Sequence, residues 1–506
     1  MSRFLGARFP HVRLNPNSPK GSNQPLPVPA SGGSVNSNPF WKVWVNNLRI
    51  EGMLGPEKPE ESMLSSAPLE NSAAEIANYT GTYDADRQWV HDDFNLALAL
   101  TNLRGIPTQI TFNHGAQSFV EHADYIRFGI AATEAKQRVR NRKVYESKVL
   151  GPASQVREWE EFTQFILGTG AFPAGFPARE LNRCITDYRC HPVVIPDQNQ
   201  PNGCKVVRLP IDTDALAASG VPKRSEYSFL SVDAGVTNNA PVEIAHTYLS
   251  GFGSSNPRES AKADRAIVLI DPFAEQIQVN PAGPKAKSVF AVLLKMIFGT
   301  IEESRYHTRD LILAADTNVK SRLLVTAFRP DPRGAELPIL VGGKAICSSR
   351  FNAFFGFFNE EYSKHDFFLG RYCCQEYLLN QNETWLPDNN PIFGNENPTG
   401  KLLPVIPLLG SVDPKTNPQT LPDWPSWSKF SPTALTDGLR KRLEVMLAAQ
   451  VAALQQGLAL GFWRGLGLRG LAGIIKCLAL DWAVNAIVRQ IEEAKTPKND
   501  PTIPSL

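Results

Sequence analysis

Apolar residues alternate with polar or small ones at Phe94, Leu96, Leu98 and Leu100, and again at Ile110 and Phe112. A period of two predicts strands, and the turn formers between the two runs (Asn102, Gly105, Pro107) predict a β-hairpin with its loop over 102–107. Residues 158–167 repeat their apolar positions at helical spacing instead, which predicts an amphipathic helix running into a glycine- and proline-spaced loop over 168–177. Short apolar runs at 204–209, 227–232 and 266–270, each bounded by turn formers, are strand candidates. Helical periodicity at 242–249 and 289–298 lies between and after them. Strands that alternate with helices in this way predict a layered α/β domain. A last strand pair is expected at 323–328 and 337–341, a helix at 353–379, and helical structure throughout 435–491.

Proline punctuates this pattern into regions. Residues 1–39 are rich in Pro, Ser, Asn and Gly with few large apolar side chains, a composition that cannot offset its ordering entropy, so order is expected to begin near Phe40. Residues 57–71 are polar and are expected to form a loop before a short helix at 73–77. The α/β domain is expected over 40–385, a proline-rich connector over 386–433 and a helical region over 434–506. Arg3, Arg8 and Arg13 are not followed by a sustained apolar stretch, so no secretory signal is expected. Arg464, Arg469, Lys476 and Asp481 interrupt the apolar residues of the last region, where no run reaches the ~20 residues of a membrane span.

Composition adds little to this picture but excludes several classes. The 506 residues are 42% hydrophobic and 20% charged with a net charge of +2, so nothing calls for a nucleic-acid partner. The seven cysteines are too few and too irregularly placed for a disulfide framework in a chain of this length. They point to a reducing, intracellular setting, cytoplasmic or peripheral at a membrane. Cys373 and Cys374 are adjacent, and Cys184 with Cys190 lacks a second metal-type pair, so neither a metal nor another cofactor is expected.

The chemistry is concentrated in one segment. Over 228–245 an apolar strand ends on Asp233, Ala234 and Gly235 turn the chain, Asn238 and Asn239 follow, and a helix is expected to begin near Pro241. In open α/β sheets, ligands and catalytic side chains collect at such strand ends. The bland alternative is an aspartate that caps its own turn. The segment is similar to the Asp-Gly-Gly or Asp-Gly-Ala motif of the patatin-like acyl hydrolases, with Ala234 where that family commonly has glycine. Residues 168–179, which contain Gly170, Ala171, Phe172 and Pro173, resemble the family's Ser-Gly-Ala-Phe-Pro loop. Stretches at 101–105, 121–128 and 365–371 resemble a patatin-related subgroup.

The resemblance runs from about Phe40 into the C-terminal helices and implies a three-layer α/β/α patatin-like domain, partial here. It also implies a serine–aspartate dyad that hydrolyses lipid or phospholipid acyl esters, with Asp233 as general base and no histidine. The family's nucleophile sits in a Gly-x-Ser-x-Gly elbow, and no such pentapeptide occurs in the 506 residues. Ser31 and Ser34 lie in an echo of the elbow but within the proline-rich tail. Two alternatives therefore stand beside the hydrolase: a non-catalytic relative that binds lipid or a protein partner, and a truncated gene model.

Three other features have competing readings. His365, Asp366 and Arg371 suggest a polar site but, beside Phe367, Phe368 and Leu369, fit a buried polar anchor of a helix. The basic run from Lys136 to Lys143 suits anionic headgroups or a solvated face. Trp463, Leu466, Leu468 and Leu471 suit a peripheral membrane contact or a helix packed on the domain.

Overall fold

In the computed structural model the described residues are 39–78, 94–131, 137, 148–151, 154–173, 175–190, 192–196, 199, 204–208, 212–218, 226–238, 241–242, 244–245, 248, 266–273, 292, 299, 322–330, 339–349, 354–380, 418–425 and 432–457. The expected tail up to Asn38, the helix at 289–298 apart from Val292, most of the connector, the basic run apart from Gln137 and the segment around Trp463 lie outside them. The described part is mixed α/β. Helix α1 (Ala67–Ala77) precedes strands β1 (Asn95–Phe112), β2 (Gly115–Ile130) and β3 (Lys148–Leu150). Then come helix α2 (Val156–Thr169), strands β4 (Arg179–Cys184), β5 (Pro192–Pro196) and β6 (Cys204–Arg208), helix α3 (Thr213–Ala218) and strand β7 (Glu226–Val232). Strands β8 (Ile267–Ile270), β9 (Arg322–Val325), β10 (Phe328–Arg329) and β11 (Leu340–Val341) follow, and helices α4 (Glu360–Asn380) and α5 (Pro432–Gly457) close the described part.

The main sheet has the order β3-β2-β1-β7-β4. Its pairings are antiparallel except β2 with β3. Parallel pairing recurs only between β8 and β9 among the described residues: the strand expected at 323–328 divides, its larger part β9 pairing with β8 and only Phe328 entering β10, which pairs with β11. The sheet therefore departs from the strand-to-helix alternation read in the sequence: β1, β2, β7 and β4 are joined mainly as antiparallel neighbours.

The hairpin expected between 94–101 and 109–112 does not form, because both runs belong to β1, which makes a longer hairpin with β2. β1 runs unbroken through 102–107 and turns back at Asn113 and His114, pairing with β2 from Asn95↔Gly129 to Phe112↔Gly115. The supposed loop is a bulge, seen as a register shift between Thr101 and Ile106. Asn102 causes it, because its side-chain oxygen accepts the backbone N–H groups of Arg104 (3.1 Å) and Gly105 (2.9 Å) that a regular ladder would claim. Gly105 has φ +78°, and a Cβ there would lie 2.1 Å from Cγ1 of Val120. Gly105→Ala is expected to cost about 1–3 kcal/mol, read as a lowered thermal midpoint. A midpoint equal to wild type would show that the bulge does not need the left-handed conformation.

Helix α2 covers the sheet. Its start is fixed by the Gln155 N–H, which donates to Glu158 Oε2 at 2.8 Å, the return half of a capping box. Its apolar stripe buries Phe162, Phe165 and Leu167. Phe162 and Phe165 meet Phe128 of β2 edge-on at 4.9 and 5.8 Å, a geometry worth roughly 0.5–1.5 kcal/mol per pair beyond area burial. The core there also takes Leu98 and Leu100 from β1, Ile126 from β2, and Tyr227 and Phe229 from β7. Near its end Gly168 lets the helix approach β4 and β7: a Cβ there would sit 2.9 Å from Leu181 Cδ1. Helix α1 begins earlier than expected, with Pro68 in its first turn, where a missing N–H costs nothing.

A second core joins the two ends of the described chain. Leu48, Ile50, Met53 and Leu64 pack with Phe176, Phe355, Tyr362 of α4 and Leu439 of α5. No helix among the described residues is long and apolar enough to cross a membrane.

Candidate functional site

Asp233 follows β7 directly, and its backbone is held from two sides. Its N–H donates to Ala171 O at 2.8 Å, in the loop after α2, and its carbonyl accepts Thr101 Oγ1 of β1, also at 2.8 Å. Thr101 Oγ1 is 2.9 Å from Thr237 Oγ1, so one buried hydroxyl ties the start of the bulge to both sides of the Asp233 turn. The strand, the bulge and the loop that the sequence singled out separately thus converge on one residue.

The Asp233 carboxylate is half-buried and accepts the Gly235 N–H at 2.7 Å, capping the short 3₁₀ turn Ala234–Val236. This is the turn-capping geometry of the alternative reading, in a residue that is partly exposed. Ala234 is buried and is not among the residues with positive φ, so alanine causes no backbone strain at that position. The rule for parallel α/β sheets does not explain the placement, since β7 lies between two antiparallel neighbours. The pins from Ala171 and Thr101 do. Ser31 and Ser34 lie outside the described residues.

A second constellation, of which the sequence singled out His365 and Asp366 but not Cys347, gathers these three with ligand atoms within 4.8 Å of one another. Its hydrogen bonds argue against a metal. Arg329 Nη1 lies 2.7 Å from His365 Nε2, and a guanidinium only donates, so Nε2 accepts and the ring proton sits on Nδ1, 2.8 Å from Asp366 Oδ1. Asp366 also accepts the N–H groups of Cys347 (2.8 Å) and Ser348 (2.9 Å) and the Ser348 hydroxyl. Both ring nitrogens and both carboxylate oxygens are engaged. Trp424 stacks on His365 at 5.0 Å and lies under the Arg329 guanidinium at 4.1 Å. The cluster fastens the loop after β11 to helix α4, which is the polar anchor read from the sequence.

The stretches at 101–105 and 121–128 meet inside the sheet. Asn102 Nδ2 donates to Asp124 (3.2 Å), which pairs with the wholly buried Arg183 (2.7 Å) and accepts Tyr188 OH (3.0 Å). Burial, reinforced by the Asp124 charge, holds the Tyr188 phenol well above its ordinary pKa, so it stays a donor at any physiological pH.

Comparison with known proteins brings one match at low identity. The chain is 26% identical over 438 residues to the uncharacterized protein y4iI of Sinorhizobium fredii (strain NBRC 101917 / NGR234). That alignment covers 79% of this chain and 59% of the Sinorhizobium protein, so the chain spans about three fifths of its relative's length. No family model matches the chain, and no solved structure does.

Proposed function

We propose that this chain carries the general-base part of a patatin-like hydrolase of lipid or phospholipid acyl esters. The observation that supports the reading is the placement of Asp233, which is half-buried and fixed by its backbone to the Ala171 loop and to Thr101. In such a reaction the carboxylate takes the serine proton as the oxygen attacks the ester carbonyl. It then gives that proton to the leaving alcohol, and later draws one from water to release the acyl group. Rigid placement lets one carboxylate do this without a histidine. On the same reading the five-stranded sheet is part of a three-layer α/β/α domain, and contact with a membrane surface is peripheral.

The serine has to come from a Gly-x-Ser-x-Gly elbow that these 506 residues do not contain. The transcript upstream of the Met1 codon therefore discriminates, and an in-frame elbow is the expected finding. In the protein that includes it, Asp233→Ala is expected to lower kcat/KM for a phospholipid or p-nitrophenyl ester by at least 10²–10⁴-fold, while the protein still folds and its melting temperature falls only by the few degrees that loss of the Gly235 cap accounts for. Retained activity would remove Asp233 from the mechanism. The 506-residue chain itself is expected to show no heat-sensitive labelling by a fluorophosphonate.

One observation favours a second reading, a non-catalytic lipid- or protein-binding relative. The carboxylate already caps Gly235 at 2.7 Å, which is a complete structural role. Absence of an elbow upstream would select this reading.

A further inference from the structure

The outer half of the β1–β2 hairpin, from Ile106↔Glu121 to Phe112↔Gly115, extends past the sheet as a two-stranded ribbon. Among the described residues β7 reaches β1 only at Thr101 and Asn102, and β3 reaches β2 only over 128–130. Every residue of β2 over 115–120 is exposed. Strand alternation puts Ile110, Phe112 and Phe119 on one face, 42%, 61% and 38% exposed. Residues 105–120 include no Asp, Glu, Lys or Arg. Over 115–120 the β2 strand thus carries neither a charged side chain nor a proline to blunt its edge, and a two-stranded ribbon is marginally stable in water.

Among the described residues one edge meets Asp212 and the other pairs with no strand, its Ser118 O accepting Gln117 Nε2 at 2.9 Å. The Asp212 N–H donates to Pro107 O at 2.9 Å on the outer side of β1. Pro107 therefore faces away from β2 in its pair with Val120, which makes this a non-hydrogen-bonded pair and turns the N–H and C=O of Val120 outward. We infer that this β2 edge pairs antiparallel with the same edge of a second copy of the chain, forming a four-stranded ribbon about a two-fold axis.

Charge supports this occupant and this direction. Antiparallel arms lay Glu121, at the base of one arm, beside His114, at the tip of the other, with no charged residue of the ribbon between them and the Asp212 carboxylate held by the Ser118 hydroxyl at 2.8 Å, whereas parallel arms would set Glu121 against Glu121. A lipid surface accommodates the edge less well, because outward N–H and C=O groups find no partner in hydrocarbon.

Sedimentation velocity on the full chain tests the inference, with a concentration-dependent dimer as the expected result. Val120→Pro removes an outward donor but no bond within the hairpin, and is expected to give a monomer with unchanged circular dichroism and melting. Phe112→Lys, which charges the apolar face, is expected to weaken the dimer. A wild-type monomer at high concentration would overturn the inference, as would a dimer that survives both substitutions. A monomer that co-sediments with phosphatidylcholine–phosphatidylglycerol vesicles, and loses this with Phe112→Lys, would assign the arm to lipid instead.

Discussion

Asp124→Ala is expected to leave the chain largely insoluble, with any soluble fraction melting far below wild type. Asp124 and Arg183 are 0% and 1% exposed at their side chains and meet at 2.7 Å. Arg183 is pulled two ways: burial opposes its charge, but Asp124 outweighs that, so its pKa ends above the ordinary value. Removing the acid abandons a buried guanidinium that lies against the Tyr188 ring at 4.4 Å and also donates to Tyr125 O at 3.0 Å. Breaking such a pair costs about 3–5 kcal/mol, a large part of the 5–15 kcal/mol by which a domain is stable. Asp124→Leu combined with Arg183→Met removes both charges together and is expected to recover much of the loss. Thermal melting of the three proteins decides the matter, and an Asp124→Ala protein that melts within a few degrees of wild type would show that the pair is not buried as described.

Arg442→Met is expected to loosen the join between the two ends of the chain. From α5 the buried guanidinium donates to Gly55 O (2.6 Å), Ser62 O (3.1 Å) and Met63 O (3.1 Å). Desolvation lowers its pKa somewhat, but arginine keeps its charge there. Each buried carbonyl left without its donor costs on the order of 1–3 kcal/mol. The expected readouts are a lower denaturant midpoint and faster cleavage by a glutamate-specific protease after the exposed Glu57 and Glu60, in the loop where Lys58 sits at φ +44°. Arg442→Lys is expected to recover only part of the loss, because an ammonium cannot span three carbonyls that a planar fork reaches at once. Cleavage at the wild-type rate in the methionine variant would mean that the apolar contacts of Leu439 and Leu443 hold the join by themselves.

Local pattern carried much of the fold. Helix α2, strand β7 and helix α4 stand close to where periodicity placed them, because each has a one-sided apolar stripe with a matching core. The misplaced hairpin turn shows the limit: Asn102, Gly105 and Pro107 are good turn residues, but tertiary bonds from Asn102 to Asp124 and Tyr188 draw the chain straight on. Asp233 was legible as a strand-end acid. Its supports were not, since Thr101 lies 132 residues away and no spacing rule connects them. For the same reason the Cys347, His365 and Asp366 cluster gave no sequence signal beyond its adjacent pair.

The bulge at Asn102 also separates the tasks of one long strand. Upstream of it, β1 is a central strand committed to the core; downstream, beyond the still-buried Ile106 and Thr108, the described residues that meet the same strand are those of its hairpin partner and of the segment around Asp212. Changes of length in the outer ribbon are absorbed at this joint, so natural insertions and deletions beyond Gly105 can accumulate without moving the carboxylate on the neighbouring strand.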